Sequence, residues 1–357
     1  MEGVGLTDFW NSRRVFLTGH TGFKGAWLSL WLEKLGAEMA AVSLEPETNP
    51  SLYARLSPWS NPGHHVGDIR VPSAFKRHFI YFEPEIVIHM AAQALVRRSY
   101  EYPAETFDTN VMGTVNVLDA VRDAPSVKTV IVVTSDKVYA NDGIGTPFIE
   151  SDTLGGRDPY SNSKACTELV VQSYRHSFFK GRDIRIATVR AGNVIGGGDW
   201  SENRLVPDCI QAFESRQALL LRYPEAIRPW QHVLEPLWGY LAFAEALRLA
   251  DEKPLPEALN FGPDPDSFAT VRDIADALGL AHGVTDVWSR APGTHLPEAP
   301  ALTLSSDLAL STIGWRPRLT LQQTIDWTAA WYKADQQGAD MRAFSLRQIA
   351  AYEEAVS

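Results

Sequence analysis

A short apolar run, Val15-Phe16-Leu17, leads straight into Gly19-His20-Thr21-Gly22-Phe23-Lys24-Gly25, and a helical pattern follows at once. Glycines let the backbone turn sharply and come close to a ligand. The helix that follows offers unpaired N–H groups and the positive end of its dipole to an anion. After a first strand, this arrangement holds the pyrophosphate of a dinucleotide. Gly19, Thr21, Gly22, Phe23, Lys24 and Gly25 are therefore candidate cofactor residues, with Lys24 able to add a charge. The competing reading is a glycine turn that only starts a helix.

The pattern downstream decides the fold class. Trp27, Trp31 and Leu35 recur at i, i+4 and i+8 beside Leu28 and Leu32, which predicts a helix packed on a sheet. Residues 39–44 read as a second strand, Ile86-Val87-Ile88-His89 as another, and 111–122 as a helix. Val130-Ile131-Val132-Val133 is β-branched throughout, as expected of a strand buried on both faces. Residues 160–174 are helical and 184–190 form a further strand. Alternating strands and helices imply an α/β fold with a doubly wound parallel Rossmann sheet. From residue 196 the alternation loosens at Gly196-Gly197-Gly198, with helices expected at 234–250, 271–278 and 320–333. The expected organisation is a dinucleotide-binding Rossmann domain over 1–195 and a smaller mixed α/β, mainly substrate-binding region over 196–357. A strand near 259–263 is expected to rejoin the first domain.

A formal net charge of −10 argues against nucleic-acid binding, which needs a basic footprint. No apolar run is long enough to span a membrane and no signal segment is visible, so cytoplasmic residence is expected. Cys166 and Cys209 form no CxxC pair, and the nine histidines show no metal-ligand spacing, so no metal is expected.

Further candidates lie at the ends of the strands. An acidic residue about 20 positions past the turn grips the adenosine ribose in such folds. Here the second strand ends in Ser43, with Glu45 just beyond. Ser43 offers only a neutral hydrogen bond, which weakens the preference for NAD over NADP. Asp68 and Ile69 stand where a third strand ends. They either meet the adenine, Asp68 at its amine and Ile69 on its ring, or form a surface turn.

Tyr160-Ser161-Asn162-Ser163-Lys164 places a tyrosine and a lysine one helical turn apart. The lysine charge, with that of an oxidised nicotinamide, is expected to lower the tyrosine pKa. Such a tyrosine takes a hydroxyl proton while hydride leaves the same carbon. Thr134-Ser135-Asp136-Lys137 follows the buried strand directly, and strand ends of this kind carry the ligand crevice. Ser135 is placed to share the substrate hydroxyl with Tyr160. Asp136 and Lys137 are either part of that chemistry or a solvated turn. For a phosphate-bearing substrate, Arg228 comes first, then Arg204, with Asn193 as a neutral contact. Each also has a purely structural reading.

Taken together, TGHTGFKG, His89-Met90-Ala91-Ala92, Asn110 within NVMGTVNVLDAV, Ser135 and YSNSK resemble the extended short-chain dehydrogenase/reductase (NAD-dependent epimerase/dehydratase) family. Within it the chain looks like the nucleotide-sugar 4,6-dehydratases. GHTGFKGAWLSLWL, HMAAQALVRRSY, VTSDKVYAN, RAGNVIGGGDW and RPWQHVLEP are similar to the group acting on CDP-sugars, in which Asp-Lys replaces Asp-Glu. The resemblance implies bound NAD, contacted also by Ala91 and Ala92, and a nucleotide-diphosphate sugar such as CDP-glucose. It adds Gln93 and His232 as substrate residues. It implies oxidation at sugar C4 by Ser135, Tyr160 and Lys164, loss of water across C5 and C6 by Lys137 as base and Asp136 as acid, and hydride return to C6. A homodimer and a place in deoxysugar supply for surface polysaccharide are implied in the same way. The alternatives are a nucleotide-sugar 4-epimerase, a reductase of the same family, and a non-catalytic Rossmann sensor.

Overall fold

The computed structural model describes residues 6–60, 63–141, 143, 145–250, 254–285, 287–293 and 302–356. Its centre is a seven-stranded sheet of β1 (Arg14–Thr18), β2 (Glu38–Ser43), β3 (Gly63–Val66), β4 (Ile86–His89), β5 (Thr129–Val133), β6 (Arg185–Ala191) and β7 (Ala258–Phe261). The strands lie in the order β7-β6-β5-β4-β1-β2-β3, and every pairing is parallel. This is the doubly wound α/β fold that the alternation predicts. The chain reverses direction across the sheet between β1 and β4. Loops leaving those two strands diverge to opposite faces and open a crevice at their C-terminal ends.

Strand alternation sorts the core into two layers. Val15 and Leu17 of β1 face one cluster with Ile86, Ile88 and Ile131, while Phe16 faces another with Val87, Val130 and Val132. Helices α1 (Phe23–Lys34), α2 (Gly113–Arg122) and α3 (Pro159–Tyr174) flank the sheet. Trp27 and Trp31 of α1 are wholly buried. Each such ring removes on the order of 200 Å² from water, about 5 kcal/mol at ~25 cal/mol per Å².

The longer helices that follow are α4 (Leu205–Ser215), α5 (Leu234–Leu249), α6 (Val271–His282), α7 (Leu321–Gln336) and α8 (Met341–Val356). Of these, α5, α6 and α7 stand where the apolar patterning places helices, whereas α4 and α8 were not expected from it. Helix α8 closes over α1, where Trp31 Nε1 donates to Glu353 at 2.9 Å. That second cover explains why α1 is apolar nearly all round. Trp27 Nε1 donates to Gly197 O at 3.0 Å, and a Cβ on Gly197 would stand 1.9 Å from the Trp331 ring. The triple glycine is thus a packing requirement, which brings the segment after β6 close against α7. Short strand pairs, Val194–Ile195 with Gln231–His232 and Ile227–Pro229 with Phe268–Thr270, carry the chain past the open end of the sheet. Among the described residues, no helix is long and apolar enough to cross a membrane.

Candidate functional site

A cavity of about 1300 Å³ runs along the C-terminal ends of the central strands, from the loop after β2 to the segment around Arg228. The glycine turn forms part of its floor, and its three glycines differ in what they require. Gly19 has φ +82, and a Cβ there would lie 2.7 Å from Ala91 N. A Cβ on Gly25 would lie 2.0 Å from Gly19 O, so close packing of α1 on the turn demands glycine. Gly22 has φ −73, and its Cβ would meet only Gly19 O, at 3.5 Å. Protein packing leaves that position open towards the cavity. No side chain caps the start of α1 at Gly22. An uncapped helix start beside an open glycine suits the pyrophosphate of a dinucleotide.

Thr21, Phe23, Ser43, Asp68, Ile69, Ala91 and Ala92 line the same cavity. The Thr21 hydroxyl donates to Leu44 O at 2.9 Å and lies 2.7 Å from Ser43 Oγ. Ser43 is then the donor between the two hydroxyls, and its oxygen is left to accept. Asp68 receives Arg70 Nε and Nη2 at 2.9 and 2.7 Å, and these bonds hold its carboxyl below the usual range. Ile69 packs on α2, where a Cβ on Gly113 would stand 2.6 Å from its Cδ1. Lys24 turns away from the glycine loop, and its Nζ donates to the Tyr240 hydroxyl at 3.0 Å.

The structure brings Ser135, Asp136, Lys137, Tyr160 and Lys164 to one wall of the cavity. Tyr160 sits in the first turn of α3, behind Pro159. That helix is capped by Asp158, which accepts from Ser161 N at 2.9 Å. Ser135 caps the turn Asp136–Val138 after β5. Its hydroxyl donates to Asp136 Oδ1 at 3.0 Å. Lys164 is one turn below Tyr160 and donates to Val133 O at 3.0 Å. Burial brings its amine down to about 8, against the pull of Glu168.

The expectation of a lowered phenol is not met by the protein's own groups. Burial pushes Tyr160 up to about 12, outweighing the lowering influence of Ser135. The phenol is desolvated, and one N–H of Lys164 is engaged by a backbone carbonyl. A further cation in the cavity would lower this phenol.

Asp136 is buried, and its Oδ2 has no hydrogen-bond partner among the described residues. Lys137 Nζ lies 3.5 Å from Asp136 Oδ1 and reaches partly into the open. An unpartnered buried carboxylate oxygen is costly unless a ligand meets it.

At the far end, Asn193, Arg204 and Arg228 line the cavity, and Asn193 Oδ1 is likewise buried and unpartnered. Arg204 is anchored by Asp199 at 3.0 Å. Of the two remaining expected substrate residues, one lies outside the cavity lining. His232 is fully buried between the rings of Trp27 and Trp327, and Leu234 N donates to its Nδ1 at 3.3 Å. Burial lowers its ring to about 3. It is a neutral core histidine outside the cavity lining. Gln93 lines the cavity, but its side chain braces its own loop through Leu95 O at 3.1 Å, Thr106 Oγ1 at 2.9 Å and Leu95 N at 2.6 Å.

Supports that the sequence reading missed stand behind the wall. Glu168 lies one turn beyond Lys164 and binds Arg190 of β6 while accepting from Thr134 at 2.6 Å and Thr188 at 2.7 Å. Asn110 donates to Gln93 O at 3.0 Å and to Ser163 Oγ at 2.8 Å, tying the loop after β4 to α3. It sits in a widened turn, Asp108–Met112, just before α2. An asparagine interrupting an apolar helical run was the available signal.

A parallel sheet of this order, with a glycine turn at its reversal and a tyrosine–lysine helix beside a strand-end serine, defines a dinucleotide-binding Rossmann protein. Residues 15–262 match the NAD dependent epimerase/dehydratase family, and the chain belongs to that family. It is 44% identical to the CDP-glucose 4,6-dehydratase of Salmonella typhimurium over 98% of this chain and 99% of that one. It is 26% identical to a UDP-glucose 4-epimerase of Yersinia pestis over 91% and 98% of the two chains. A dTDP-glucose 4,6-dehydratase from Streptomyces venezuelae, solved with NAD bound, superposes with a TM-score of 0.77 at 22% identity, covering 92% of this chain and 99% of that one.

Proposed function

We propose that this chain is a nucleotide-sugar 4,6-dehydratase acting on CDP-glucose, with NAD as a recycled cofactor. The observation that carries this reading is the Asp136–Lys137 pair at the end of β5, adjoining Ser135 on the cavity wall shared with Tyr160. An epimerase has no use for an acid and a base at C5 and C6. Whole-length similarity to a CDP-glucose 4,6-dehydratase supports the same reading.

The glycine turn, Ser43 and the loop at Ala91 and Ala92 would hold NAD, with Asp68 and Ile69 at the adenine. When bound, NAD supplies a cationic ring that accepts hydride from sugar C4 and returns it at C6. Tyr160 would lose its proton more readily beside that positive charge. Tyr160 then takes the C4 hydroxyl proton, with Ser135 orienting that hydroxyl and Lys164 stabilising the phenolate. Oxidation at C4 acidifies the proton on C5. Lys137 removes it, and Asp136 protonates the departing C6 hydroxyl. Arg228 and Arg204 bind the pyrophosphate, with Asn193 as a neutral contact.

On this reading residues 1–195, rejoined by β7, hold the cofactor and most of 196–357 holds the sugar nucleotide. A homodimer in the cytoplasm is the matching assembly and location. Product analysis with CDP-, dTDP-, GDP- and UDP-hexoses tests the substrate. Turnover of CDP-glucose to a 4-keto-6-deoxy sugar supports the proposal. Conversion to a C4 epimer alone would replace it.

A further inference from the structure

Asp199 follows the triple glycine at the edge of the cavity, and its side chain is only 6% exposed. Its backbone is pinned from three sides. The Tyr332 hydroxyl of α7 donates to Asp199 O at 2.5 Å. Gly198 has φ +86, and a Cβ there would stand 2.5 Å from Leu52 Cδ1. Gly197 O accepts from Trp27 of α1. Both carboxylate oxygens of Asp199 are in use. Oδ1 accepts from Ser201 N and Oδ2 from Arg204 Nη1, each at 3.0 Å.

Arg204 stands just ahead of α4, with its side chain 34% exposed. It lies in the field of Lys24, of Tyr160, and of Glu47 on the loop after β2. A long cationic side chain facing another cation is repelled unless a fixed anion holds it. Asp199 is the largest influence favouring its charge. The segment is tied on its far side as well: Asn203 has φ +61, and its Oδ1 accepts from Arg97 Nη1 at 2.8 Å. Among the described residues, the remaining guanidinium N–H groups of Arg204 meet no hydrogen-bond acceptor. A fork of N–H donors left open in this way suits a diphosphate.

We propose that Asp199 is a positioning residue for substrate: it holds the Arg204 guanidinium in the cavity before the ligand arrives, with the open N–H groups available to the diphosphate of the sugar nucleotide. It acts through Arg204 and not on the ligand itself. The proposal rests on the sugar-nucleotide reading of the cavity and deepens it. Immobilising a long side chain at the moment of binding weakens affinity about three- to tenfold. Asp199 removes that cost in advance, because its own position is set by packing. An asparagine at 199 would still accept from Ser201 N, but it would turn a neutral amide towards the guanidinium.

The test is steady-state kinetics of the full-length enzyme with CDP-glucose at saturating NAD, together with NAD titration in the absence of sugar. The wild type is compared with Asp199→Asn, Arg204→Met and the double variant. Asp199→Asn should raise KM about three- to tenfold and leave kcat within about twofold. Arg204→Met should raise KM at least as far. The double variant should match Arg204→Met, since Asp199 acts only through that side chain. NAD affinity should be the same in all four proteins. An unchanged KM in Asp199→Asn would overturn the proposal, and so would a double variant whose KM shows the two single effects multiplied. A loss confined to NAD affinity would place Arg204 on the cofactor and overturn it as well. Failure of the wild type to turn over CDP-glucose would instead overturn the sugar-nucleotide reading, and the proposal with it. Should Asp199→Asn not fold, free guanidinium added to Arg204→Ala must lower its KM by settling beside Asp199, and no lowering overturns the proposal.

Discussion

The carboxylate of Glu168 receives two hydrogen bonds from the guanidinium of Arg190, at 2.8 and 3.0 Å, with both side chains only 5% exposed. The pair spans α3 and β6 directly behind Lys164. Arg190 also donates to the Tyr139 hydroxyl at 2.8 Å, which itself donates to Asn260 Oδ1 of β7 at 2.7 Å. One network thus joins the helix bearing Tyr160 to two strands, β6 and β7. Removing one partner strands a buried charge, so Arg190→Met should cost about 3–5 kcal/mol of stability. Combining it with Glu168→Leu should recover part of that loss. Urea unfolding of the two single variants and the double variant checks this, and strictly additive losses would refute the coupling.

The glycine turn separates a packing demand from a ligand demand. Gly25→Ala forces a Cβ to 2.0 Å from Gly19 O, whereas Gly22→Ala meets protein only at 3.5 Å. Gly25→Ala should therefore lower the melting temperature. Gly22→Ala should melt like the wild type while losing at least tenfold in NAD affinity, because backbone approach to the pyrophosphate is blocked. Thermal melts and NAD titration distinguish the two. Unchanged NAD affinity in Gly22→Ala would remove the pyrophosphate from this turn.

Acid should destabilise this protein through its buried histidines. His89 and His232 are each lowered from 6.5 to about 3, both by burial, with Lys164 adding to the effect at His89. Unfolded chain takes up these protons first as pH falls below 6.5, while the folded rings stay neutral. The stability they contribute is complete above pH 6.5 and is lost on the way down towards 3. His232→Phe removes one such group, so its loss of stability between pH 7.5 and 5 should be smaller by about 2 kcal/mol. Its KM for sugar nucleotide at pH 7.5 should stay at the wild-type value. A raised KM would return His232 to the substrate site.

Much of this was readable beforehand because the relevant signals are local. Val130 to Val133 is continuous and apolar because β5 is covered on both faces, and Tyr160 and Lys164 share a face by helical spacing alone. Ser135 could be placed near them because the C-terminal end of a central strand has only one environment in this fold. Glu168 and Arg190 gave no such signal: a charged residue on a helix and another on a strand look solvated until the two are seen to meet. Helix α8 lacks a clean apolar stripe, since it packs through scattered contacts such as Glu353 with Trp31. His232 was misjudged because the aromatic rings enclosing it, Trp27 and Trp327, lie far away in the chain.

Splitting the reaction at Lys137 should separate its halves. Lys137→Ala should retain C4 oxidation, seen as transient absorbance of reduced cofactor in a single turnover, and lose about 100-fold or more in water loss. Asp136→Asn should likewise retain oxidation and stall elimination. If Lys137→Ala eliminates water at the normal rate, the base lies elsewhere on the cavity wall.

The most direct measurement is turnover of CDP-glucose in deuterium oxide with no added reductant, followed by mass and NMR analysis of the product and absorbance of the cofactor. A recycled-hydride dehydratase yields a 4-keto-6-deoxy sugar carrying deuterium at C5, with the cofactor oxidised at the end as at the start. Reduced cofactor accumulating in step with product, or a product that keeps its C6 hydroxyl, would contradict it.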